Sequence, residues 1–303
     1  MEAVAEQMDR DTWLAERRKG IGGSDVAAIL GLSKWTSPVE VWLDKLGRLP
    51  PKEETPAMRW GSLKEPLILD EFSRATGMEV RRGLPMQASE DHPFMLATID
   101  GLVEDRQAIV EAKTAMFAEG WGEPGTAEIP AYYLTQVTHY MAVTGAVVAF
   151  VPVLIGSSDF RIYEVERDES LIADLVEAER SFWFDHVLAG VEPEPVSKED
   201  ALLLWARDNG TTVDVDEDVA ADVERLKALK AEITLLEERA ALIDDRVRIA
   251  FREAAQLRFN GEVIATYKGQ ARKSLDQRAI EAEHPSIVAQ YKRESLSRVL
   301  RLK

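Results

Sequence analysis

From Leu226 to Leu257 the apolar residues fall at alternating intervals of three and four: Leu226, Leu229, Ile233, Leu236, Ala240, Ile243, Val247, Ala250, Ala254 and Leu257. Such a spacing lines up on one seam only in a helix of coiled-coil type. It predicts one long helix over about 216–258 whose seam needs a partner: its own chain, a sister subunit or another protein. Upstream the pattern is of a different kind, and the Pro-punctuated stretch Val191-Glu-Pro-Glu-Pro-Val196 between the two reads as a linker. Two parts are therefore expected, 1–195 and 196–303. The second continues through a turn at Asn260-Gly261, a strand over 263–268 and a basic end at 291–303.

The first part reads as mixed α/β. Helices are expected over 26–30 (capped by Ser24-Asp25 and stopped by Gly31), 38–46, 62–76, 130–144 and 168–188. Strands are expected over 78–82, 84–88, 94–103, 108–113, 147–155 and 160–165. The run 147–155 is apolar throughout, as in a strand buried on both faces.

Composition narrows the chemistry. Among 303 residues there is no Cys, which excludes disulfides, a thiol nucleophile, Cys-based zinc sites and iron–sulfur clusters in this chain. No apolar run reaches bilayer length, and the first residues do not resemble a leader, so a cytoplasmic protein is expected. The net charge of −17 argues at first against a polyphosphate partner. The charge is uneven, however. Residues 251–303 hold eleven Lys/Arg against six Asp/Glu, a net of +5, leaving −22 on the first 250. A second basic knot, Arg17-Arg18-Lys19, lies near the start.

The residues that carry chemistry are Asp100, in Thr98-Ile-Asp-Gly101, and the triplet Glu111-Ala112-Lys113. A turn at 104–107 would pair their strands. Alternation then puts Glu111 and Lys113 on one face, near Asp100, with Ala112 turned away. Two carboxylates with the Ala112 carbonyl in reach make a hard oxygen site suited to Mg2+, with Mn2+ as a substitute. Lys113 could orient a water or hold charge developing on a phosphate. Against this stands an exposed Glu–Lys cross-strand pair beside an Asp-Gly turn. The apolar flanks, 94–99 and 108–110, favour a central hairpin.

Three further elements stay open in the same way. Glu65, in Arg59-Trp-Gly-Ser-Leu-Lys-Glu-Pro66, would complete a metal shell from the first turn of its helix, or merely complement the helix dipole. Gln136 would hold substrate or water near the lysine, or sit on a solvated face. The block Arg17-Arg-Lys-Gly-Ile-Gly-Gly-Ser-Asp25 would bind an anion through cations and glycine amides, or be a loop with a Ser cap. His92, His139, His186 and His284 show no metal spacing.

Taken in order, residues 17–31, Trp60-Gly-Ser-Leu-Lys-Glu65, Thr98–Gly101, Glu111–Lys113 and residues 133–145 resemble the YqaJ-like viral recombinase family. These are the phage exonucleases similar to lambda exonuclease, within the PD-(D/E)XK nuclease superfamily. The resemblance covers roughly 13–195. It implies an α/β core with a central mixed sheet flanked by helices, and a Mg2+-dependent 5′→3′ exonuclease on double-stranded DNA ends. The resulting 3′ overhangs would serve a single-strand annealing partner in recombination. It implies Asp100, Glu111 and the Ala112 carbonyl as metal ligands, Lys113 as the catalytic lysine, and roles for Glu65 and Gln136. It also implies Arg17, with Arg18 as the nearby alternative, and Ser24 on the DNA 5′ phosphate. One departure concerns an acidic residue that the family carries ahead of the Asp100 position: the nearest candidates here are Glu90 and Asp91, and that role stays open. A ring-shaped trimer, in a prokaryote or a phage-infected host, follows from the resemblance alone. An endonuclease of the same fold and a non-catalytic DNA-binding or scaffolding protein remain the alternatives. The C-terminal extension is where the chain departs from the best-understood relative.

Overall fold

The computed structural model describes residues 10–50, 54–293 and 297–303. The first residues of the chain, and 294–296 within the basic end, lie outside them. Two compact units divide between Leu204 and Trp205. The first begins with α1 (Arg10–Arg17), β1 (Ile21–Gly22), α2 (Gly23–Ile29), α3 (Pro38–Lys45) and α4 (Pro56–Thr76). Six short strands or strand pieces and a helix follow: β2 (Gln87–Ala88), β3 (Met95–Ala97), β4 (Gly101–Val103), β5 (Ala108–Val110), β6 (Lys113–Ala115), α5 (Ala131–Thr144) and β7 (Val148–Ile155). The unit closes with β8 (Asp159–Glu166), α6 (Glu169–Ser181), a π-helical turn (Phe182–Leu188) and α7 (Lys198–Leu204).

β7 is the axis of the main sheet. β8 pairs with it antiparallel along its full length, while β5 and β6 pair with it parallel on the other side. Val110 faces Phe150 and Lys113 faces Val153, so β5 and β6 are one strand line interrupted at Glu111 and Ala112. β4 adds to β5 antiparallel, with Gly101 opposite Val110. Both faces of this sheet are covered, which is why 147–155 is apolar without alternation. Ile109, Ala149, Val151 and Val153 pack with Val137 and Met141 of α5 and Ile172 of α6. Ala108, Val110 and Phe150 face the other way, onto Leu69 and Phe72 of α4. A second, three-stranded sheet (β1-β3-β2) and the helices α2 and α3 form an adjoining core with Phe182 and Trp183.

Several expectations change. The run 94–103 is two strands, one in each sheet, broken at residues 98–100. Residues 78–86 form no named strand; Arg81 makes only an isolated bridge to Leu102. α2 is not capped by Ser24: its N-cap is Gly22, whose N–H donates to the Asp25 carboxylate (3.0 Å). α4 begins at Pro56, where the Thr55 hydroxyl accepts the Met58 N–H (3.2 Å), so Glu65 lies mid-helix and has no dipole to complement. The first unit also runs past 195. α7 docks through Asp200, which accepts from the Ser37 hydroxyl and the Val196 N–H, so the Pro-rich stretch lies inside that unit.

The second unit holds α8 (Glu217–Phe251), a hairpin of β9 (Gln256–Phe259) and β10 (Glu262–Thr266), then α9 (Gln277–Glu283) and α10 (Pro285–Tyr291). The long helix stops at Phe251, short of 258, and Ala254 and Leu257 leave the seam. The Asn260-Gly261 turn has positive φ at both residues (50° and 87°), the signature of a tight hairpin, and the hairpin claims Leu257 for β9. Within α8, Leu229, Ile233, Leu236 and Ile243 are each about half exposed. No helix among the described residues is long and apolar enough to cross a membrane.

Candidate active site

The interruption between β5 and β6 is where the polar residues gather. Glu111 keeps a ladder bond, its N–H donating to the Phe150 carbonyl (2.9 Å). The next amide is diverted: Ala112 N–H donates to Asp100 Oδ2 (2.9 Å), which lies just before β4. The chain break at Asp100 and the strand break at Glu111–Ala112 thus hold each other in place. Two residues on, Lys113 Nζ donates to Glu111 Oε1 (2.8 Å) and to Gln136 Oε1 (2.9 Å) on α5. Gln136 Nε2 donates back to Glu111 Oε1 (2.9 Å) and to the Tyr140 hydroxyl (3.1 Å). Gln136 is therefore buried at the site, and the solvated-face alternative falls. Lys113 also lies over the Tyr133 ring, 4.7 Å from its centre.

The electrostatics are those of a site with too much negative charge. Burial pushes the Asp100 carboxyl well above the ordinary range, and Glu111 and then Glu65 push it further. Burial also raises Glu65, again with Glu111 adding to the effect. Burial alone would lower Lys113, but Glu111 and Asp100 outweigh it and keep the ammonium charged. Glu111 Oε2 is buried and has no hydrogen-bond partner among the described residues. A buried carboxylate oxygen without a donor costs stability unless something else meets it. Glu90 and Asp91 lie exposed in the turn between β2 and β3, and the acidic groups acting most on Asp100 are Glu111 and Glu65.

The N-terminal block is wired to the same helix. Arg17 pairs with Asp25 and donates to the Ser24 hydroxyl (2.9 Å). Asp25 is buried and also takes Lys45 Nζ (2.6 Å). Burial would raise its carboxyl, but Lys45 and Arg17 outweigh burial and lower it. Arg18 goes elsewhere, to Asp44 (3.1 Å). Gly22 is not kept free for a ligand, since Asp25 takes its N–H. Gly23 is needed for packing: a Cβ there would lie 2.5 Å from Tyr140 Cε1 and 3.1 Å from Gln136 Cγ. α2 and the active-site face of α5 are thus in direct backbone-to-ring contact.

Comparison with known proteins bears on this arrangement. Residues 12–147 match the YqaJ-like viral recombinase domain. Over 302 residues the chain is 34% identical to the uncharacterized protein YqaJ of Bacillus subtilis (strain 168), covering 95% of this chain and 92% of that one. This chain belongs to the YqaJ-like viral recombinase family. The YqaJ-like chain is also similar in fold to an alkaline exonuclease (LHK-Exo) from Laribacter hongkongensis. That match has a TM-score of 0.50 at 22% identity, over 60% of this chain and 94% of that one.

In this YqaJ-like chain the donor set fits a hard divalent cation. Asp100, Glu111 and Glu65 are hard oxygen donors, Asp100 and Glu65 are raised by burial and by their neighbouring carboxylates, and Glu111 Oε2 has no donor among the described residues. Among the described residues no three acidic or His side chains stand together as a ready metal-holding group. Sequence reasoning passed over Tyr133, Tyr140 and Lys45, and read Asp25 only as a helix cap beside Ser24. Tyr133 and Tyr140 stand three and four residues from Gln136, on the same face of α5, and that spacing was the available signal. Nothing in the sequence tied Lys45 to Asp25.

Proposed function

We propose that this chain is a metal-dependent DNA nuclease of the PD-(D/E)XK type, a 5′→3′ exonuclease acting on double-stranded ends. The observation that supports it is the closed triangle of Glu111, Lys113 and Gln136 beside Asp100, with Glu111 Oε2 left over. Asp100, Glu111, Glu65 and the Ala112 carbonyl would hold Mg2+, or Mn2+ in its place. When bound, that ion would supply Lewis-acid polarisation of the scissile phosphate and lower the pKa of a nearby water. The chain's own residues do the rest. Lys113 is a cation held on two sides, so it donates to a phosphate oxygen and holds the charge that develops there. Gln136 and Tyr133 fix where that ammonium stands. The bond formed is water oxygen to phosphorus and the bond broken is phosphorus to O3′, so the shortened strand ends in a new 5′ phosphate. The Arg17–Ser24 pair, with Arg17 still partly exposed, is the group to take that phosphate. Arg18, committed to Asp44, is the weaker choice.

The 3′ overhangs would feed a single-strand annealing partner, and the uncovered seam of α8 is a surface for a sister chain or that partner. A trimeric ring remains an expectation from family resemblance. The test is release of nucleotides from linear duplexes bearing 5′ phosphate or 5′ hydroxyl, and from closed circles, with and without Mg2+. Hydrolysis confined to linear DNA, faster with 5′ phosphate and lost in Lys113→Ala, is the expected result. Equal signal from wild type and Lys113→Ala would sink the nuclease, and cutting of circles would sink the exonuclease.

A further inference from the structure

An exposed aromatic leads from solvent to the catalytic lysine. Trp35 is 62% exposed, on the loop between α2 and α3. Its ring meets Tyr132 at 5.0 Å between centres and nearly at a right angle (89°). Tyr132 meets Tyr133 at 4.3 Å, and Tyr133 lies under the Lys113 ammonium at 4.7 Å. Tyr133 is backed in turn by Trp121 at 5.6 Å, which is buried. Trp35 is thus three ring steps from the group assigned to hold the reacting phosphate.

The loop that carries Trp35 is pinned. Leu32 N–H and Ser33 N–H both donate to the Ala27 carbonyl (2.7 and 3.0 Å). The Ser33 hydroxyl accepts the N–H of Trp35 and of Thr36 (both 3.2 Å), and Ser37 caps α3. Single exposed apolar side chains are ordinary and need no explanation. This one is a large ring whose backbone is tied and whose flank is braced by Tyr132. With the Tyr132 ring against it, much of the indole surface is still left to solvent. Exposed Lys34 stands beside it.

We infer that Trp35, braced by Tyr132, is a stacking platform for an unpaired nucleobase of the strand that enters the active site. The inference rests on the nuclease reading above and adds to it a binding subsite for bases. In a DNA strand the bases alone offer a flat π face to match an indole. Phosphate groups are already provided for by Arg17 and Lys113. A strand running from the Arg17–Ser24 pair past Lys113 would carry its bases as well as its phosphates. Trp35 would hold one base out of the duplex stack and so position the phosphate beside Lys113. Because every base has a π face, the subsite would be tolerant of sequence.

The experiment compares two 5′-phosphorylated duplexes, one ordinary and one whose first few 5′ nucleotides are abasic. On ordinary DNA, Trp35→Ala should raise KM about ten-fold, the scale of one base–aromatic stack. Trp35→Phe should recover most of that loss, and on abasic ends Trp35→Ala and wild type should have the same KM. Equilibrium binding of both DNAs to a Lys113→Ala protein, with and without Trp35→Ala, reads the stack without hydrolysis. If wild type binds DNA with the base-dependent Trp35 effect but releases no nucleotide, the nuclease reading fails and the stack survives. If wild type is active and Trp35→Ala is indistinguishable from it, the stack fails alone. Equal weakening on ordinary and abasic ends, no recovery in Trp35→Phe, or a changed mass by light scattering would each overturn the stacking role. Absence of any DNA binding would overturn both.

Discussion

The Ala112 N–H donates to Asp100 Oδ2 across the point where β5 gives way to β6, so a backbone amide that would belong to the sheet serves a carboxylate instead. Asp100 is held by this bond and repelled by Glu111 and Glu65. Asp100→Asn keeps an acceptor for the amide and removes the charge. Nucleotide release should fall by more than about 100-fold, the usual cost of removing a group that acts directly on the reacting centre. The melting temperature should hold or rise, because the repulsion is gone. A variant that loses activity only in proportion to lost fold would contradict this.

Lys113 and Gln136 are hydrogen-bonded (2.9 Å), and on the nuclease reading they should act as a unit. Lys113→Ala should lower kcat about 10²–10³-fold. Gln136→Ala should lower it less, since Glu111 still holds the lysine. The double variant should be little worse than Lys113→Ala alone, because Gln136 works through the lysine. Fully multiplicative losses, measured in single turnover, would show that Gln136 acts on substrate independently.

Gly23 tests the contact between α2 and α5. A methyl group there meets the Tyr140 ring at 2.5 Å, and the ring is backed by the core. Gly23→Ala should cost about 1–3 kcal/mol of stability in urea melts, the range for overpacking. It should also lower activity in the fraction that remains folded, since Gln136 is the next residue met, its Cγ at 3.1 Å. Unchanged melting would mean that α2 shifts freely.

The legibility of the site in the sequence was uneven, for physical reasons. Asp100, Glu111 and Lys113 were readable because strand alternation is a local rule, and the structure brings them together. Their surroundings were not. A break in a strand looks like continued strand in a run such as 94–103, because each piece keeps the same residue preferences. Gln136 was ambiguous because a polar residue on an amphipathic helix is usually solvated, and only tertiary contact with Lys113 decides otherwise. The end of α8 was misplaced because Ala254 and Leu257 extend the heptad by chance while Asn260-Gly261 claims the segment for a hairpin.

Stability should depend on pH through His139 and Glu179, a buried pair joining α5 to α6 at 2.9 Å. Burial raises the Glu179 carboxyl. Burial would lower the His139 imidazole, but Glu179, the Leu96 carbonyl and, more weakly, Asp25 outweigh it and raise it. Both groups thus hold protons more tightly folded than unfolded. Their contribution is full below the ordinary carboxyl and imidazole values, and the imidazole's share is lost as pH rises above about 6.5 and through the folded value. The melting temperature should fall from about pH 6 to pH 9, and a His139→Gln/Glu179→Gln variant should show a shallower slope. Parallel slopes would remove this pair as the cause.

The seam of α8 predicts association. Leu236→Lys with Ile243→Lys places charge on residues that are 51% and 53% exposed in the single chain. The helix itself should tolerate the change, as lysine is a good helix former. Light scattering should show a lower mass than wild type at equal concentration, with unchanged far-UV circular dichroism. Identical masses would rule out a sister chain and leave the seam to its own chain or to a different protein.

The interrupted strand beside β7 has one more consequence. Glu111 and Lys113 are not carried on a loop that could loosen while the rest of the molecule stayed intact; they are flanked on both sides by ladder pairs to the innermost strand. On the nuclease reading, catalytic competence and the folded core therefore vanish together when the chain unfolds. Heated wild-type samples should divide into fully working and fully silent molecules, with few of reduced vigour between them, and an assay of turnover doubles as a count of intact chains.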